Sequence, residues 1–371
     1  MGVALLIVMY VVSSLKRCGP TNQLCNIVKH LDRSQFQPLV ITLSAEGSDT
    51  LFPDFEEIVE VRSLSLGRIA GLQAAAALRR ITDDVKPSII HTQGIRADVL
   101  VSRLPGRQRH IATVRNYAFQ DYAMTYGRLR GWGMAVSHVH HLRRVDCVAL
   151  VSNAIQAKLK RYLPDAVVIQ NGVDLSRYSI ASFDEKAALR QRLGLPRRVR
   201  IFISTGHLDA RKDPATTIEG FLAQHANDSL LLMLGSGALQ KELKARYESQ
   251  AHRIRFVGRV ANVEEYLKAS DVFVSASLAE GLPNAVLEAM ACGLPCLLSD
   301  IPEHREIVAG YGLEMLLFPR GDRLGLVEQI NRLDDASLAS HSSESFSVVR
   351  ERFSAVGMST RYQSLYRELT R

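Results

Sequence analysis

The sequence predicts two doubly wound α/β domains in tandem. The chain has 371 residues, which is longer than a single ordinary hydrophobic core supports, so two domains are expected. Short apolar runs rich in Val and Ile alternate with helical patterns, as a parallel sheet covered by helices on both faces requires. The alternation starts afresh near residue 200, and each half of the chain is therefore expected to build its own sheet.

The first half opens with an apolar run, residues 3–12 (VALLIVMYVV). The run is well short of the ~20 residues that cross a bilayer, and it lacks the charged segment and small-residue cleavage site of a signal peptide. It is interpreted as a buried parallel strand rather than a membrane anchor. Further strands of this half are predicted at residues 38–43, 88–93, 110–115 and 147–152.

The second half repeats the pattern, with strands predicted at residues 200–206, 230–237, 254–260, 271–277 and 296–300. The dipeptide Asn171-Gly172 is a strong turn signal, and it puts a domain boundary between residues 1–170 and 171–345. A Ser-rich stretch, residues 337–347, is interpreted as a loop. The last segment, residues 346–371, carries apolar side chains at helical spacing and is predicted to contain an amphipathic helix.

The composition is that of a globular protein of the cytoplasm. Hydrophobic residues make up 47% of the chain and charged residues 23%, and no long polar stretch indicates disorder. The five cysteines are an odd number without CxxC spacing, which argues against a disulfide framework and against a zinc site. Reduced cytoplasmic thiols are the preferred interpretation.

The positive charge is concentrated in the first half. Residues 1–170 hold 21 Lys and Arg against 13 Asp and Glu, so the whole formal net charge of +8 lies there. Such a surface attracts anionic lipid or an anionic acceptor, whereas no helix-turn-helix, finger or RNA-binding signature supports a nucleic-acid partner. Residues 128–134 (RLRGWGM) combine basic side chains with the only tryptophan, which suits either a membrane interface or ordinary packing of Trp132.

Two glutamates eight residues apart, in residues 279–295 (AEGLPNAVLEAMACGLP), are the strongest candidates for a site. Glu280 is predicted on the loop after a buried strand, and Glu288 inside the helix that follows. In an open α/β sheet such a loop and helix N-terminus line the ligand crevice and favour a phosphate. Glu288, one turn behind Asn284, could then accept hydrogen bonds from a ribose. The alternative is that both glutamates are ordinary solvated residues.

This segment resembles the E-x7-E motif of the family 4 glycosyltransferases, which are retaining enzymes with the GT-B fold. The resemblance continues in "VSNAI", "IQNGVDLSRY", "GHLDARKDP", "LGSGALQKEL" and "YQSLYREL", and it covers nearly the whole chain in the same order. It implies two Rossmann-like domains that face a central cleft, with a C-terminal helix that returns to the N-terminal domain.

The resemblance also implies roles for individual residues. Glu280 would contact hydroxyls of the donor sugar and Glu288 the nucleotide ribose, while Lys212, together with Arg211, would neutralise the diphosphate without a metal. Glu280, Lys212 and Arg211 are thus the expected catalytic residues. The other expected donor-binding residues are Gly19 from the first domain, and Gly206, His207, Gly281, Leu282 and Asn284 from the second.

Two positions depart from the usual pattern of this family. His207 follows Gly206 where an arginine is common, and a histidine is a weaker and pH-dependent phosphate partner. On the acceptor side, Arg115 and Asn116 stand where a histidine is common. Arg115 cannot act as a base because it stays protonated; it is expected either to bind an acceptor or phosphate oxygen or to be a surface residue.

A cluster of histidines, residues 137–141 (SHVHH), is interpreted as part of a solvated helix or loop. No carboxylate or cysteine pattern completes a metal site around it. No metal is therefore expected.

The expected activity is retaining transfer of a sugar from a nucleotide diphosphate donor to a glycan acceptor. By the habit of this family we expect a UDP-sugar, a lipid-linked acceptor and a role in bacterial surface polysaccharide such as O-antigen or capsule. The enzyme is expected in the cytoplasm or on the inner face of the plasma membrane, held by anionic lipid. The alternatives are a nucleotide-sugar epimerase of the same fold and an inactive homologue that serves as a scaffold.

Overall fold

A computed structural model describes residues 5–67, 71–224 and 228–371, and the chain divides into two compact units. Unit 1 comprises Met1–Gly172 and Ala355–Arg371, and unit 2 comprises Val173–Ser354. The division falls directly after Asn171-Gly172, where the sequence indicates a boundary, although the structure has no turn at these two residues. Residues 3 and 4 of the predicted first strand lie outside the described residues.

Unit 1 contains a parallel sheet of seven strands in the order β3-β2-β1-β4-β5-β6-β7. Its central strands are buried on both faces, which explains their nearly continuous apolar sequence. The strands are β1 (Leu6–Val12), β2 (Phe36–Thr42), β3 (Glu60–Ser63), β4 (Ile89–Gln93), β5 (Arg109–Val114), β6 (Cys147–Leu150) and β7 (Val167–Val168). The helices between them are α1 (Gly19–Lys29), α2 (Phe52–Glu56), α3 (Gly71–Val85), α4 (Ile95–Val101), α5 (Ala118–Tyr126), α6 (Arg128–Leu142) and α7 (Asn153–Leu159).

Unit 2 contains a second parallel sheet, of six strands in the order β10-β9-β8-β11-β12-β13. The strands are β8 (Arg200–Thr205), β9 (Ser229–Leu234), β10 (Ile254–Gly258), β11 (Val272–Ser275), β12 (Cys296–Ser299) and β13 (Leu317–Phe318). The helices are α8 (Phe183–Arg192), α9 (Pro214–Leu222), α10 (Gln240–Arg246), α11 (Val263–Ala269), α12 (Asn284–Ala291), α13 (Pro302–Val308), α14 (Arg323–Arg332) and α15 (Asp335–Arg352). The prediction of two doubly wound domains is confirmed.

Helix α15 corrects the interpretation of the Ser-rich stretch as a loop. The Asp334 side chain accepts a hydrogen bond from the Ser337 backbone, and the Ser337 hydroxyl bonds back to the Asp334 backbone. This capping box starts a helix that serine alone would not favour. Because α15 extends unit 2 to Arg352, the terminal segment that joins unit 1 starts at Ala355 and not at residue 346.

The terminal helix α16 (Ala355–Thr370) is joined to the sheet of unit 1 by buried polar side chains. The Tyr366 hydroxyl lies 2.8 Å from His91 Nδ1 and 3.1 Å from the Tyr10 hydroxyl. His91 Nε2 lies 2.7 Å from Thr113 Oγ1, which is 2.9 Å from the Tyr362 hydroxyl. Burial lowers the pKa of His91 to about 3, so the ring is neutral and supplies one donor and one acceptor to this network.

Helices α5 and α6 form a hairpin on unit 1. A Cβ at Gly131 would lie 2.3 Å from the Tyr122 carbonyl oxygen, so only glycine lets the two backbones pack this closely. His138 of α6 lies 2.8 Å from both the Tyr122 hydroxyl and an Asp98 carboxylate oxygen of α4. The hairpin is thereby fixed to the rest of the unit. Across the described residues, no helix is both long and apolar enough to cross a bilayer.

Replacing Tyr366 with phenylalanine should destabilise unit 1, because His91 Nδ1 and the Tyr10 hydroxyl would lose a buried partner. We expect a loss of about 1–3 kcal/mol in the free energy of unfolding, measured with urea. Tyr311→Phe is the matched control, since that hydroxyl bonds to Glu351 at an exposed position. Equal losses in the two variants would contradict a structural role for the network.

Candidate active site

The candidate site of unit 2 lies where the strand order reverses. Strand β8 is flanked by β9 on one side and β11 on the other, and ligands bind outside the carboxyl ends of strands at such a switch point. A pocket is found there, between the ends of these three strands. Its lining residues are Ser204, Thr205, Gly206, His207, Leu208, Lys212, Pro214, Met233, Leu234, Ser275 and Ser277.

Glycines allow two loops to pack closely beside this pocket. Gly206 has φ +141°, and a Cβ there would lie 3.5 Å from Lys212 Cε. At Gly235 (φ +126°) a Cβ would lie 1.8 Å from the Gly206 carbonyl oxygen, and at Gly237 it would lie 2.3 Å from the Leu208 carbonyl oxygen. The loops after β8 and β9 can therefore approach each other this closely only because Gly235 and Gly237 lack side chains. His207 is exposed at the rim of the pocket.

Glu280 forms ion pairs with both predicted cations. Lys212 Nζ lies 2.5 Å from one carboxylate oxygen, and Arg211 Nη1 lies 3.0 Å from the other. Arg211 Nη1 also donates to the Ala279 carbonyl oxygen at 3.1 Å, and the Leu278 amide donates to the Arg211 carbonyl oxygen. The Glu280 side chain is only 6% exposed, so the idea that it is a solvated loop residue is wrong.

The surroundings of Glu280 keep it ionised. Burial alone would raise the pKa of this carboxyl, but Lys212 and Arg211, with hydrogen bonds from Lys212 and Ser277, lower it to about 2. Behind Ser277, the Ser299 hydroxyl donates to the Ser277 carbonyl oxygen at 2.6 Å. His304 Nδ1 donates in turn to the Ser299 carbonyl oxygen at 2.7 Å. Burial lowers the pKa of His304 to about 4, so this support is neutral.

Glu288 lies in a different environment on helix α12. The helix follows Pro283 and ends before Gly293, whose φ is +72°, as the sequence predicts. Glu288 is half-buried, and burial raises the pKa of its carboxyl to about 7. Arg177 and a hydrogen bond from Tyr178 oppose this rise. Near neutral pH Glu288 is therefore partly protonated, whereas Glu280 is ionised.

The predicted site residues fall into two groups. In unit 2 the structure brings together Arg211, Lys212 and Glu280 by direct bonds, and it puts Gly206 and His207 on the pocket that Lys212 also lines. Gly281 and Leu282 are buried on the loop after Glu280, and Asn284 is the first residue of α12.

The remaining predicted residues lie in unit 1. Gly19 begins α1, and Arg115 and the exposed Asn116 directly follow β5. Arg115 donates to Gln93 Oε1 at 2.9 Å and to Asn171 Oδ1 at 3.0 Å. It is half-buried, so it is not an ordinary surface arginine.

The histidine cluster is not a solvated segment. His138 and His141 are buried, and only His140 is exposed. Within the described residues no group of three or more side chains could hold a metal ion. Trp132 is 62% exposed, so its interpretation as an ordinarily packed side chain is wrong.

Sequence reasoning missed the residues that support the two glutamates. Glu280 is supported by a hydrogen-bonded series of Ser277, Ser299 and His304. Glu288 interacts with Arg177 and Tyr178. His304 lies within the "IPEHREIV" wording, and the other pair lies in "DLSRY". Both stretches resemble the family, yet neither carries a spacing that predicts contact with a distant carboxylate.

Two family models cover most of the chain. Residues 18–177 match the model described as Glycosyltransferase Family 4. Residues 199–335 match the model described as Glycosyl transferases group 1. The chain belongs to the family 4 glycosyltransferases. The predicted family and the GT-B fold class are confirmed, and glycosyl transfer is the activity of this chain.

Individual relatives of this family 4 glycosyltransferase are bacterial. The O-antigen biosynthesis glycosyltransferase WclY of Escherichia coli is 28% identical over 98% of both chains. UDP-Gal:alpha-D-GlcNAc-diphosphoundecaprenol alpha-1,3-galactosyltransferase of Escherichia coli is 31% identical, over 65% of this chain and 64% of that relative. Anabaena HepE, solved with UDP and glucose, shares the fold with a TM-score of 0.81 and 21% identity, over 98% of this chain and all of that one.

Glu288→Gln should stabilise the ligand-free glycosyltransferase at high pH only. The native carboxyl has a pKa of about 7 against 4.5 for the unperturbed group, so it favours folding below about pH 4.5, and this contribution is lost as the pH rises through 7. Glutamine resembles the protonated acid. We expect nearly equal melting temperatures for variant and wild type at pH 4, and a variant melting roughly 2 °C or more higher at pH 8.

Glu280→Gln gives the opposite control, because that carboxyl has a lowered pKa and is paired with two cations. It should melt lower than the wild type at both pH values. A Glu288→Gln variant that melts lower at pH 8 would contradict the assignment of a raised pKa.

Proposed function

We propose that this glycosyltransferase moves a sugar, with retention, from a UDP-sugar to a lipid-linked glycan during bacterial O-antigen or capsule synthesis. The observation that carries the proposal is the ion cluster of Lys212, Glu280 and Arg211 beside the pocket of unit 2. In this proposal unit 2 binds the donor, and unit 1 binds the acceptor at the cytoplasmic face of the membrane.

The ion cluster suits a diphosphate leaving group. When the bond from the anomeric carbon to the diphosphate breaks, negative charge develops on the phosphate oxygens, and preorganised cations stabilise it. In our proposal Lys212 and Arg211 neutralise this negative charge without a metal ion. Both oxygens of Glu280 are engaged by these cations, so Glu280 orients them. The acceptor oxygen bonds to the anomeric carbon, and its proton passes to the leaving diphosphate.

The raised pKa of Glu288 fits a ribose-binding role. A carboxylate accepts two hydrogen bonds from a ribose diol, as the acidic residue of dinucleotide-binding sheets does. Donor binding favours the ionised form and thus opposes the burial that raises the pKa of this carboxyl. Gly206 and the start of α12 provide backbone close to the same ligand.

The names of relatives support the chemical class of both substrates. One Escherichia coli relative uses UDP-Gal and an acceptor linked through a diphosphate to undecaprenol, and another acts in O-antigen biosynthesis. Anabaena HepE was solved with UDP and glucose. The two Escherichia coli relatives are named as transferases, which favours transfer over isomerisation of the donor.

An exposed apolar patch supports work at a membrane surface. The α5–α6 hairpin exposes Met124, Tyr126, Leu129, Trp132 and Val136, and Leu129 is 91% exposed. Large apolar side chains exposed on one surface element mark docking surfaces, and a tryptophan close to basic residues is typical of a lipid interface. The exposed residues Arg128 and Arg130 adjoin the patch, so we assign it to anionic lipid.

Substitutions in the ion cluster test the donor site. A thermal-shift panel of UDP-, GDP- and ADP-sugars identifies the donor, and release of its nucleotide diphosphate measures turnover. Lys212→Ala should lower kcat/KM about a hundredfold, the scale of losing one charge-stabilising group. Glu280→Gln should chiefly lower kcat because the cations lose their orientation, and Glu288→Gln should chiefly raise the donor KM. EDTA should leave the rate unchanged.

Lys244→Ala, at an exposed position of α10, is the control and should keep full activity. A product with the anomeric configuration of the donor supports retention. An isomerised sugar formed from donor alone would instead support an epimerase, and donor binding without any turnover would support a scaffold. An unchanged rate in Lys212→Ala would contradict the proposed role of the cluster.

Binding to lipid vesicles tests the patch. The full-length protein should sediment with vesicles that contain phosphatidylglycerol and be released by about 0.5 M salt, which shortens the Debye length. Replacing Arg128 and Arg130 together with glutamate should weaken binding at least tenfold, since each basic residue contributes ~1 kcal/mol near anionic lipid. Trp132→Ser should also weaken binding.

The matched charge control replaces Arg79 and Arg80, two exposed arginines of α3, with glutamate and should bind almost as well as the wild type. Phe183→Ser, in unit 2, is the apolar control because Phe183 is 87% exposed. If the Arg79/Arg80 variant lost as much vesicle binding as the Arg128/Arg130 variant, overall charge and not the patch would drive binding. Failure to bind any vesicle, with a dimer in solution, would assign the patch to a second copy.

A further inference from the structure

Arg115 is a cation without a carboxylate partner among the described residues. Its guanidinium donates to two neutral amide oxygens, Gln93 Oε1 and Asn171 Oδ1. The titratable groups that interact with it most are the Tyr362 hydroxyl and the Cys18 thiol, and the nearby ring of His91 is buried and neutral. A half-buried arginine is normally paired with a carboxylate, so this arrangement requires an explanation.

The surroundings of Arg115 contain more hydrogen-bond donors than acceptors. Arg115 Nε and Gln93 Nε2 are both buried, and neither has an acceptor within the described ranges. Gln93 is 8% exposed, and its amide oxygen already serves Arg115, so its NH2 group is directed away from that bond. Buried donors are nearly always satisfied. Donors left over around a cation indicate an anionic ligand with several acceptor oxygens.

The position in the sheet agrees with a ligand site. Gln93 ends β4 and Arg115 directly follows β5. In unit 1 the strand order reverses between β1 and β4, and ligands lie outside the carboxyl ends of strands at such a reversal. Cys18 caps the N-terminus of α1 in the connection after β1, and its thiol interacts electrostatically with Arg115.

We propose that Arg115 and Gln93 form an anion site in unit 1 that binds the phosphate or diphosphate of the acceptor. The inference rests on the proposed function and names the part of the acceptor that unit 1 recognises. The donor diphosphate already has Lys212 and Arg211 in unit 2, so the anion of unit 1 belongs to the other substrate. A planar guanidinium supported by two amides suits bidentate binding of phosphate oxygens.

The site can be tested without knowing the acceptor sugar. Octyl diphosphate is titrated calorimetrically into the full-length protein, with octyl glucoside as the uncharged comparison, both below their critical micelle concentrations. UDP is present at saturation so that the donor diphosphate site is filled. We expect saturable binding of octyl diphosphate only, weakened at least tenfold by Arg115→Gln.

Arg109→Gln is the matched control, because Arg109 begins the same strand β5 and pairs with Asp146 at 2.9 Å. It should bind octyl diphosphate as the wild type does. Gln93→Glu guards against a folding defect: the new carboxylate would pair with Arg115 in place of the ligand. That variant should melt higher than the wild type and lose octyl diphosphate binding at least tenfold.

Each other outcome overturns the inference. Equal binding by the wild type and Arg115→Gln would exclude Arg115 as the anion ligand, and octyl diphosphate displaced by UDP would assign the site to the donor. Binding of UDP in a thermal-shift assay is measured separately. If UDP does not bind but octyl diphosphate still binds in an Arg115-dependent manner, the proposed donor is wrong and the anion site is supported.

Discussion

The candidate site of unit 2 depends on the pairing of one buried carboxylate with two cations. Glu280 is nearly inaccessible to solvent, and an unpaired carboxylate there would be strongly destabilising. Arg211 and Lys212, adjacent in sequence, compensate it from one loop, and Arg211 also binds the Ala279 carbonyl oxygen. The pairing therefore joins the loop after β8 to the loop after β11, and the pocket lies between the strands that carry these loops. The ammonium that stabilises the fold thus already lines the pocket, where a leaving group would use it.

The two glutamates of one motif have opposite electrostatic environments. Burial acts on both, but the ion pairs of Glu280 lower its pKa to about 2, whereas Arg177 and Tyr178 offset burial only in part at Glu288, where the pKa is about 7. Environments that separate the pKa values of two carboxyls give them different roles. Glu280 stays charged and holds cations at all physiological pH values. At Glu288, hydrogen-bond donors supplied by a ligand would favour the charged form of the carboxyl.

Much of the fold could be predicted from the sequence because the central strands of parallel sheets are continuously apolar. The three strands that were missed, β3, β7 and β13, are short and lie at sheet edges, where little apolar sequence is needed. Helix α15 was missed because its start depends on the capping box of Asp334 and Ser337. At the site, the motif identifies the glutamates and the cations. The partners His304 and Tyr178 come from distant loops, and only the folded chain brings them to the carboxylates.

The two units differ in net charge. The terminal segment, residues 355–371, adds three arginines and one glutamate to unit 1, which then carries +10 and leaves −2 for unit 2. In unit 2 the cations at the pocket are paired with Glu280, so a donor must compete with or reuse an existing ion pair. In unit 1, Arg115 has only amide partners among the described residues, and an anion arriving there displaces no carboxylate. A net positive field of this kind favours an anionic substrate or surface at unit 1, whereas the cations at the pocket of unit 2 are already compensated by Glu280.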